Sequence, residues 1–162
     1  MAIHVVLHEP EIPANTGNIA RTCAGTNSAL HLIHPLGFST DDRMLKRAGC
    51  DYWPNVKVEH HDSIEELIAA YPEGEFYYIE TIGKTFYSEV DYSDLEKDYF
   101  FVFGKETKGL PAELTEANAE RCLLIPQTNL VRSLNLSNTA AILVYEAMRQ
   151  QNYTSIHTHV SN

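Results

Sequence analysis

Ile125-Pro126-Gln127-Thr128-Asn129-Leu130-Val131-Arg132-Ser133-Leu134-Asn135-Leu136-Ser137-Asn138 is the stretch on which the reading of this chain turns. A strand-like run, Cys122-Leu123-Leu124-Ile125, stops at Pro126, and a polar loop follows. A long apolar helix is expected directly after it, from about Asn138 to Gln150, with Ser137 as its cap. Loops between packed elements are where a rigid scaffold displays its chemistry. This one carries hydroxyls, amides and one arginine, Arg132, but no Cys, His or carboxylate. It can offer hydrogen bonds and positive charge, but neither a strong nucleophile nor a metal ligand. That favours a site that binds and orients two reactants over one that attacks covalently. Ser133 and Asn135 alternate with Leu134 and Leu136, so in an extended segment both polar side chains face one way. The competing explanation is local turn chemistry, since Ser and Asn commonly bond their own backbone.

Working outward, strand and helix signals alternate along the whole chain. Ile3–Leu7, Ala29–Ile33, Asn55–Val58, Phe76–Ile79 and Tyr99–Phe103 read as strands. The last two are nearly continuous apolar runs, as central strands of a parallel sheet should be. Helices are expected from Asn15, as N-cap, to about Ser28, from Asp41-Asp42 to Gly49, over Ser63–Tyr71, and from Pro111 through Ala119. Alternation of this kind predicts an α/β domain with helices on both faces of the sheet. With no repeat, linker or low-complexity segment, residues 1–152 read as one domain and residues 153–162 as a polar, frayed tail. In the last helix, Ala140, Leu143, Val144 and Ala147 form one apolar stripe and Ala141, Ile142, Tyr145 and Met148 another. Two apolar faces need two packing partners. The sheet is one; the other is either a second subunit or the rest of the same domain.

Composition narrows the class. The chain has 162 residues, 44% of them hydrophobic, and a formal net charge of −10. That is enough for a full core. The acidic balance counts against a nucleic-acid binder without excluding one, because binding depends on local basic patches. Arg43, Lys46 and Arg47 supply one such patch, on one face of the expected 41–49 helix, where they could meet RNA phosphates or simply solvent. Cys23, Cys50 and Cys122 are far apart and read as buried reduced thiols, which points to the cytosol. No signal peptide is evident, and no apolar run approaches the roughly 18 residues needed to span a bilayer. His60-His61 and His157-x-His159 lack Cys or further His at metal-like spacing, so they read as surface residues and no metal is expected.

Two further motifs could carry chemistry. In Glu9-Pro10-Glu11-Ile12-Pro13-Ala14-Asn15-Thr16-Gly17-Asn18-Ile19-Ala20-Arg21, prolines stiffen the approach, and Arg21 lies one helical turn after Gly17. An arginine near a helix start is a natural phosphate ligand, although a surface salt bridge would explain it equally. In Phe103-Gly104-Lys105-Glu106-Thr107-Lys108-Gly109-Leu110-Pro111, two glycines flank a charged turn after a buried strand, the position where open α/β sheets bind ligands. Leu110-Pro111 stands where a P-loop needs Lys and Ser/Thr, which removes the ATPase reading. No G-x-G-x-x-G follows any strand, so an ordinary dinucleotide site is unsupported.

Taken in order, Asn15-x-Gly17-x-x-x-Arg21, Phe103-Gly104-x-Glu106-x-x-Gly109-Leu110, Ile125-Pro126 and Ser133-Leu134-Asn135-Leu136-Ser137 resemble the SPOUT superfamily of RNA methyltransferases. Pro10–Asn18, Arg47-Ala48-Gly49-x-Asp51-Tyr52 and Arg132–Asn138 are closer still to its TrmL-like branch, which methylates the ribose 2′-oxygen of the wobble nucleotide in leucine tRNAs. The likeness covers essentially the whole chain. It implies a parallel-sheet α/β-knot fold with a C-terminal trefoil knot, the last helix being threaded through the segment after Phe103. Sequence physics alone would not suggest a knot. The resemblance also implies S-adenosylmethionine as methyl donor, tRNA as substrate and a cytoplasmic homodimer. It places cofactor contacts on Ile79, Gly104, Ile125 and Ser133, and the catalytic set on Asn15, Arg21, Glu106, Ser133 and Asn135. Arg43, Lys46, Arg47 and Arg132 are the expected RNA contacts. The alternatives are a non-catalytic, dimeric RNA- or nucleotide-binding protein of the same fold, or action on another RNA site.

Overall fold

The structure, a computed structural model, describes residues 2–41, 43, 45, 47 and 53–156. Seven parallel strands form one sheet in the order β3-β2-β1-β6-β4-β7-β5. They are β1 (Ile3–His8), β2 (Ala29–Ile33), β3 (Val58–His61), β4 (Glu75–Ile79), β5 (Thr85–Phe86), β6 (Tyr99–Phe103) and β7 (Cys122–Leu124). Apart from helical residues 43, 45 and 47, whose neighbours lie outside the described residues, the α-helices are α1 (Pro13–Thr26), α2 (Ile64–Ala70), α3 (Ala112–Ala117) and α4 (Leu136–Gln150). The two-residue β5 is absent from the sequence expectation, being too short to carry a period.

The central strands are buried on both faces; one face is apolar, and the other carries His4, His8 and His31 among its apolar residues. Val5, Leu7, Leu30, Leu32, Phe101 and Phe103 pack one face against Ile19 and Cys23 of α1 and Leu143, Val144 and Ala147 of α4. Val6, Ile33, Phe100 and Val102 pack the other against Ile64 and Leu67 of α2, with Leu114 of α3 alongside. Helices on both faces are therefore observed, as alternation predicts. Cys23 and Cys122 are buried free thiols, and burial pushes the Cys23 thiol up to about 12. Cys50 lies outside the described residues.

The helix starts expected at Asn15 and Ser137 are shifted, whereas Ser63 caps α2 as its side chain accepts from the Glu66 N–H. The Asp41-Asp42 start lies partly outside the described residues. Helix α1 begins at Pro13, with Ile12 as an N-cap that makes no side-chain bond, so Asn15 lies inside the first turn. Proline is pre-set for that place because its ring fixes φ and the missing N–H has no partner there anyway. Helix α4 begins at Leu136, and its cap is Asn135, not Ser137. The Asn135 Oδ1 accepts from the Ser137 and Asn138 N–H groups at 2.9 and 3.3 Å. The loop 130–133 is turned and bent, not extended, so the alternation of Ser133 and Asn135 is not what orients them.

The far end of α4 is tied to the chain between β4 and β6. Gln150 accepts from the Tyr92 N–H at 2.7 Å and donates to the Val90 carbonyl at 3.0 Å, and Gln151 donates to the Tyr92 carbonyl at 2.8 Å. The second stripe of α4 is split: Met148 is fully buried with the first stripe, while Tyr145 is exposed. Residues 153–156, expected to fray, instead form turns. There the Tyr153 N–H donates to the Met148 carbonyl at 2.9 Å, and Ile156 packs against the core. Among the described residues no helix is long and apolar enough to cross a membrane.

Candidate active site

Strands β1 and β6 are neighbours, but α1 follows β1 onto one face of the sheet and α3 follows β6 onto the other. Loops that part in this way open a crevice beyond the strand ends. A cavity of about 680 Å³ occupies that position. It lies within the roughly 300–1,000 Å³ of small-molecule sites. Its walls come from the residues after β1, β4 and β6 and from the stretch between β7 and α4, so loops far apart in sequence share one space.

The loop after β6 is folded tightly on itself. Gly104 faces the backbone of Gly109 and Leu110 so closely that a Cβ there would sit 2.1 Å from the Gly109 carbonyl carbon and 2.3 Å from the Leu110 nitrogen. No side chain fits. Gly109 has φ of +69°, which costs glycine little and other residues more. Its N–H donates to the Lys105 carbonyl at 2.9 Å, closing the turn. Glu80, directly after β4, accepts from the Leu110 N–H at 2.6 Å and so pins the second glycine end.

Two carboxylates stitch the β1 and β6 loops together. Glu106 accepts from the Ile12 N–H at 2.6 Å and from the Glu11 N–H at 3.2 Å. In return Glu11 accepts from the Thr107 N–H at 3.2 Å and its hydroxyl at 2.7 Å. Lys105 adds an ion pair to Glu9 at 3.2 Å. Burial lifts the Glu106 carboxyl above the usual carboxylate range, against the pull of the two N–H bonds. The Thr107 hydroxyl and amide hold the Glu11 carboxyl below that range.

The third loop joins through two amides. The Asn135 side chain donates to the Asn15 Oδ1 at 3.2 Å, across 120 residues of sequence. Asn135 thus caps α4 with its oxygen and holds the first turn of α1 with its nitrogen. Gln127 closes the same loop by donating to the Val131 and Arg132 carbonyls, both at 3.2 Å. Arg132, Ser133 and Leu134 remain exposed beside the cavity.

Of the expected catalytic set, Asn15, Glu106, Ser133 and Asn135 line this cavity, as do the expected cofactor contacts Ile79, Gly104 and Ile125. Arg132 lines it too. Arg21 does not, although it is exposed. It lies six residues beyond Asn15, about 9 Å along α1 and about 240° around it. Arg43 and Arg47 are exposed and helical, away from the cavity walls, and Lys46 is outside the described residues. Glu80 was missed by motif reasoning; its place next to Ile79 at a parallel strand's carboxyl end was the available signal.

The residues fit an adenosine-bearing methyl donor. The glycine turn is a cradle that any Cβ would fill, and Ile79, Ile125 and Leu134 supply apolar wall beside polar loop groups.

Comparison with known proteins agrees with this geometry. Residues 2–145 match the model of the SpoU rRNA Methylase family. A Bacillus subtilis relative, provisionally designated tRNA (cytidine(34)-2′-O)-methyltransferase, is 65% identical over 96% of this chain and 98% of its own. The Escherichia coli tRNA (cytidine(34)-2′-O)-methyltransferase is 43% identical over 93% and 95%. A structure solved in work on 2-OH methylation of C/U34 on tRNA superimposes with a TM-score of 0.83 at 39% identity, covering 93% of this chain and 97% of that one. The chain is therefore a member of the SpoU methylase family, with the parallel-sheet architecture of SPOUT methyltransferases.

Proposed function

We propose that the protein transfers a methyl group from S-adenosylmethionine to the ribose 2′-hydroxyl of the wobble pyrimidine, position 34, of leucine tRNAs. The reading rests on one observation. Loops distant in sequence converge on one cavity, in a chain 43% identical to the Escherichia coli tRNA (cytidine(34)-2′-O)-methyltransferase over nearly its whole length. The enzyme works in the cytoplasm as a homodimer, with α4 threaded through the segment after Phe103 in a C-terminal trefoil knot.

When bound, S-adenosylmethionine supplies an electrophilic methyl on a sulfonium. Ile79, Gly104, Ile125 and Ser133 hold it, the glycine turn and apolar wall excluding water. Positioning two reactants in this way can supply roughly 7 to 11 kcal/mol of barrier reduction. Asn135 and Asn15 fix the loop that faces the ribose. Glu106 is a positioning residue: its carboxylate is spent on the Glu11 and Ile12 N–H groups. A guanidinium does not give up its proton in proteins, so Arg21 anchors a substrate phosphate and polarises the hydroxyl, whose proton passes late to solvent water as the methyl–oxygen bond forms and the methyl–sulfur bond breaks. Because Arg21 lies outside the cavity of its own chain, the Arg21 of a second copy completes each site. Arg43, Lys46, Arg47 and Arg132 meet tRNA phosphates.

Incubation with labelled S-adenosylmethionine and total tRNA, followed by nucleoside mass spectrometry, tests the activity. Label in 2′-O-methylated cytidine or uridine at position 34 of leucine tRNAs supports it. Bound donor or tRNA without product identifies a non-catalytic binder instead. Arg21→Ala and Asn135→Ala, each strongly impaired alone, should regain activity when mixed and allowed to exchange subunits. Failure to do so in a protein shown to be dimeric would place both residues in one chain's site.

A further inference from the structure

On the face of the sheet away from α1 and α4, three histidines from three adjacent strands form a hydrogen-bonded row. His4 Nδ1 lies 2.9 Å from His31 Nε2, and His31 Nδ1 lies 3.0 Å from His61 Nε2. The register explains why: His31 of β2 is paired with Glu59 of β3, and His61 follows two residues later on the same face. His61 is buried, contrary to its reading as a surface residue; only His60, pointing the other way, is exposed.

Asp98 lies 3.0 Å from His4 Nε2 and as a carboxylate only accepts, so that nitrogen carries the hydrogen. With all three imidazoles neutral, His4 Nδ1 then accepts from His31 Nε2–H, and His31 Nδ1 is left bare. That bare nitrogen faces Glu59 Oε2 at 3.3 Å as well as His61 Nε2, and Glu59 Oε2 is also 3.6 Å from His61 Nε2. A hydrogen on His61 Nε2 can serve only one of its two acceptors, His31 Nδ1 and Glu59 Oε2; with that hydrogen on Nδ1 instead, three lone pairs converge on one corner.

We propose that His31 Nδ1, His61 Nε2 and Glu59 Oε2 form a divalent transition-metal site suited to Zn²⁺. Ligands of tetrahedral zinc, at bonds of 2.0 to 2.1 Å, stand about 3.3 Å from one another. The three observed separations, 3.0, 3.3 and 3.6 Å, bracket that value. The supporting groups are also in place. A zinc-bound histidine ordinarily donates its other ring N–H to a fixed acceptor such as a carboxylate, a backbone carbonyl or water. His31 does so to His4, which is backed by Asp98. Tyr71 donates to both Glu59 oxygens at 3.2 Å and holds the carboxylate in place. Glu59 is partly exposed, which leaves the fourth position to water. Two nitrogens and one oxygen favour zinc, cobalt or nickel over magnesium or calcium. The ion would clamp β3, the edge strand of the sheet, to β2. This site is separate from the methyl-transfer cavity, none of whose lining residues it uses.

The test uses tag-free, chelator-stripped, full-length protein. Zn²⁺ is titrated in competition with a chromophoric chelator, Co²⁺ is added to read d–d absorption, and melting temperature is followed with each. One equivalent should bind, give intense tetrahedral-type Co²⁺ bands and raise the melting temperature. Because His31 is wholly buried and its replacement could unfold the protein, the decisive variant is the isosteric, partly exposed Glu59→Gln. It should weaken Zn²⁺ binding at least about 10-fold, and Asp98→Asn about 10- to 100-fold. His60→Asn, which removes the exposed His34–His60 contact at 2.7 Å, should leave affinity unchanged. Absence of Zn²⁺ binding, equal affinity in the parent and Glu59→Gln, or loss in His60→Asn would each overturn the proposal.

Discussion

The cavity and the histidine row solve the same problem, how to hold polar atoms in place, in opposite ways. Around the cavity, side chains bond the backbone of distant loops: Glu106 to Glu11 and Ile12, Glu11 to Thr107, Glu80 to Leu110. Carboxylates and amides are consumed in shaping the loops, and Ser133 and Arg132 are left exposed. In the histidine row, side chains standing on rigid strands bond one another and leave no loop to adjust. Loops joined by long-range stitches can admit and release a substrate; histidines fixed by sheet register can only be satisfied or not.

That contrast can be broken at four points. Arg21→Ala should lower kcat by about 100- to 1,000-fold, the range for losing one group that stabilises developing charge. Affinity for S-adenosylmethionine, measured by calorimetry, should stay the same; equal losses in both would remove Arg21 from substrate handling. Gly104→Ala forces a Cβ into the Gly109 and Leu110 backbone, so the turn must open. Displacement of about 1 Å at a site costs about 100-fold. Donor affinity and activity should fall together here, and an unchanged affinity would show that the turn does not cradle the donor.

Asn135→Ala removes a helix cap and the link to Asn15, and should cost about 1 to 2 kcal/mol in urea unfolding, as cap losses do. Asn135→Asp keeps the cap but presents no N–H to Asn15, so it should recover most of the stability and little of the activity. If Asp restores both, the Asn15 contact is idle. The smallest effect belongs to the strand histidines. His8 is buried with its Nδ1 unpartnered, and burial holds its imidazole below the usual value. Its unfolded pKa is about 6.5, so below that pH the unfolded chain binds the proton more readily. Stability contributed by neutral His8 is therefore complete above about pH 6.5 and is lost as pH falls toward its lowered folded value. Denaturation curves at pH 7 and pH 5 should differ less in His8→Gln than in the parent; an equal difference would clear His8 of any part in the acid sensitivity.

The order of elements was readable from the chain because it rests on local signals. Tyr99–Phe103 is apolar at every position, and a fully buried parallel strand is the element that requires this. Gly104 and Gly109 marked the tight turn after β6 for a similar reason, since few other residues tolerate such close backbone approach. The resemblance to SPOUT enzymes extended this to Asn15, Glu106, Ser133 and Asn135, all of which line one cavity.

What each of those residues touches was decided by the tertiary structure alone. Asn15 looked like a cap, but Pro13 starts the helix and frees its amide for Asn135. Glu106, expected in the catalytic set, is seen to bond the Glu11 and Ile12 N–H groups across the β1 and β6 loops, a contact no local signal announces. His61 looked exposed, because nothing near it in sequence reveals that β2 will lay His31 alongside. Periodicity and backbone tolerance are properties of neighbours along the chain, and those the sequence carries by itself. Which side chains meet across strands and loops depends on sheet order and register, and those are set only when the whole core is packed.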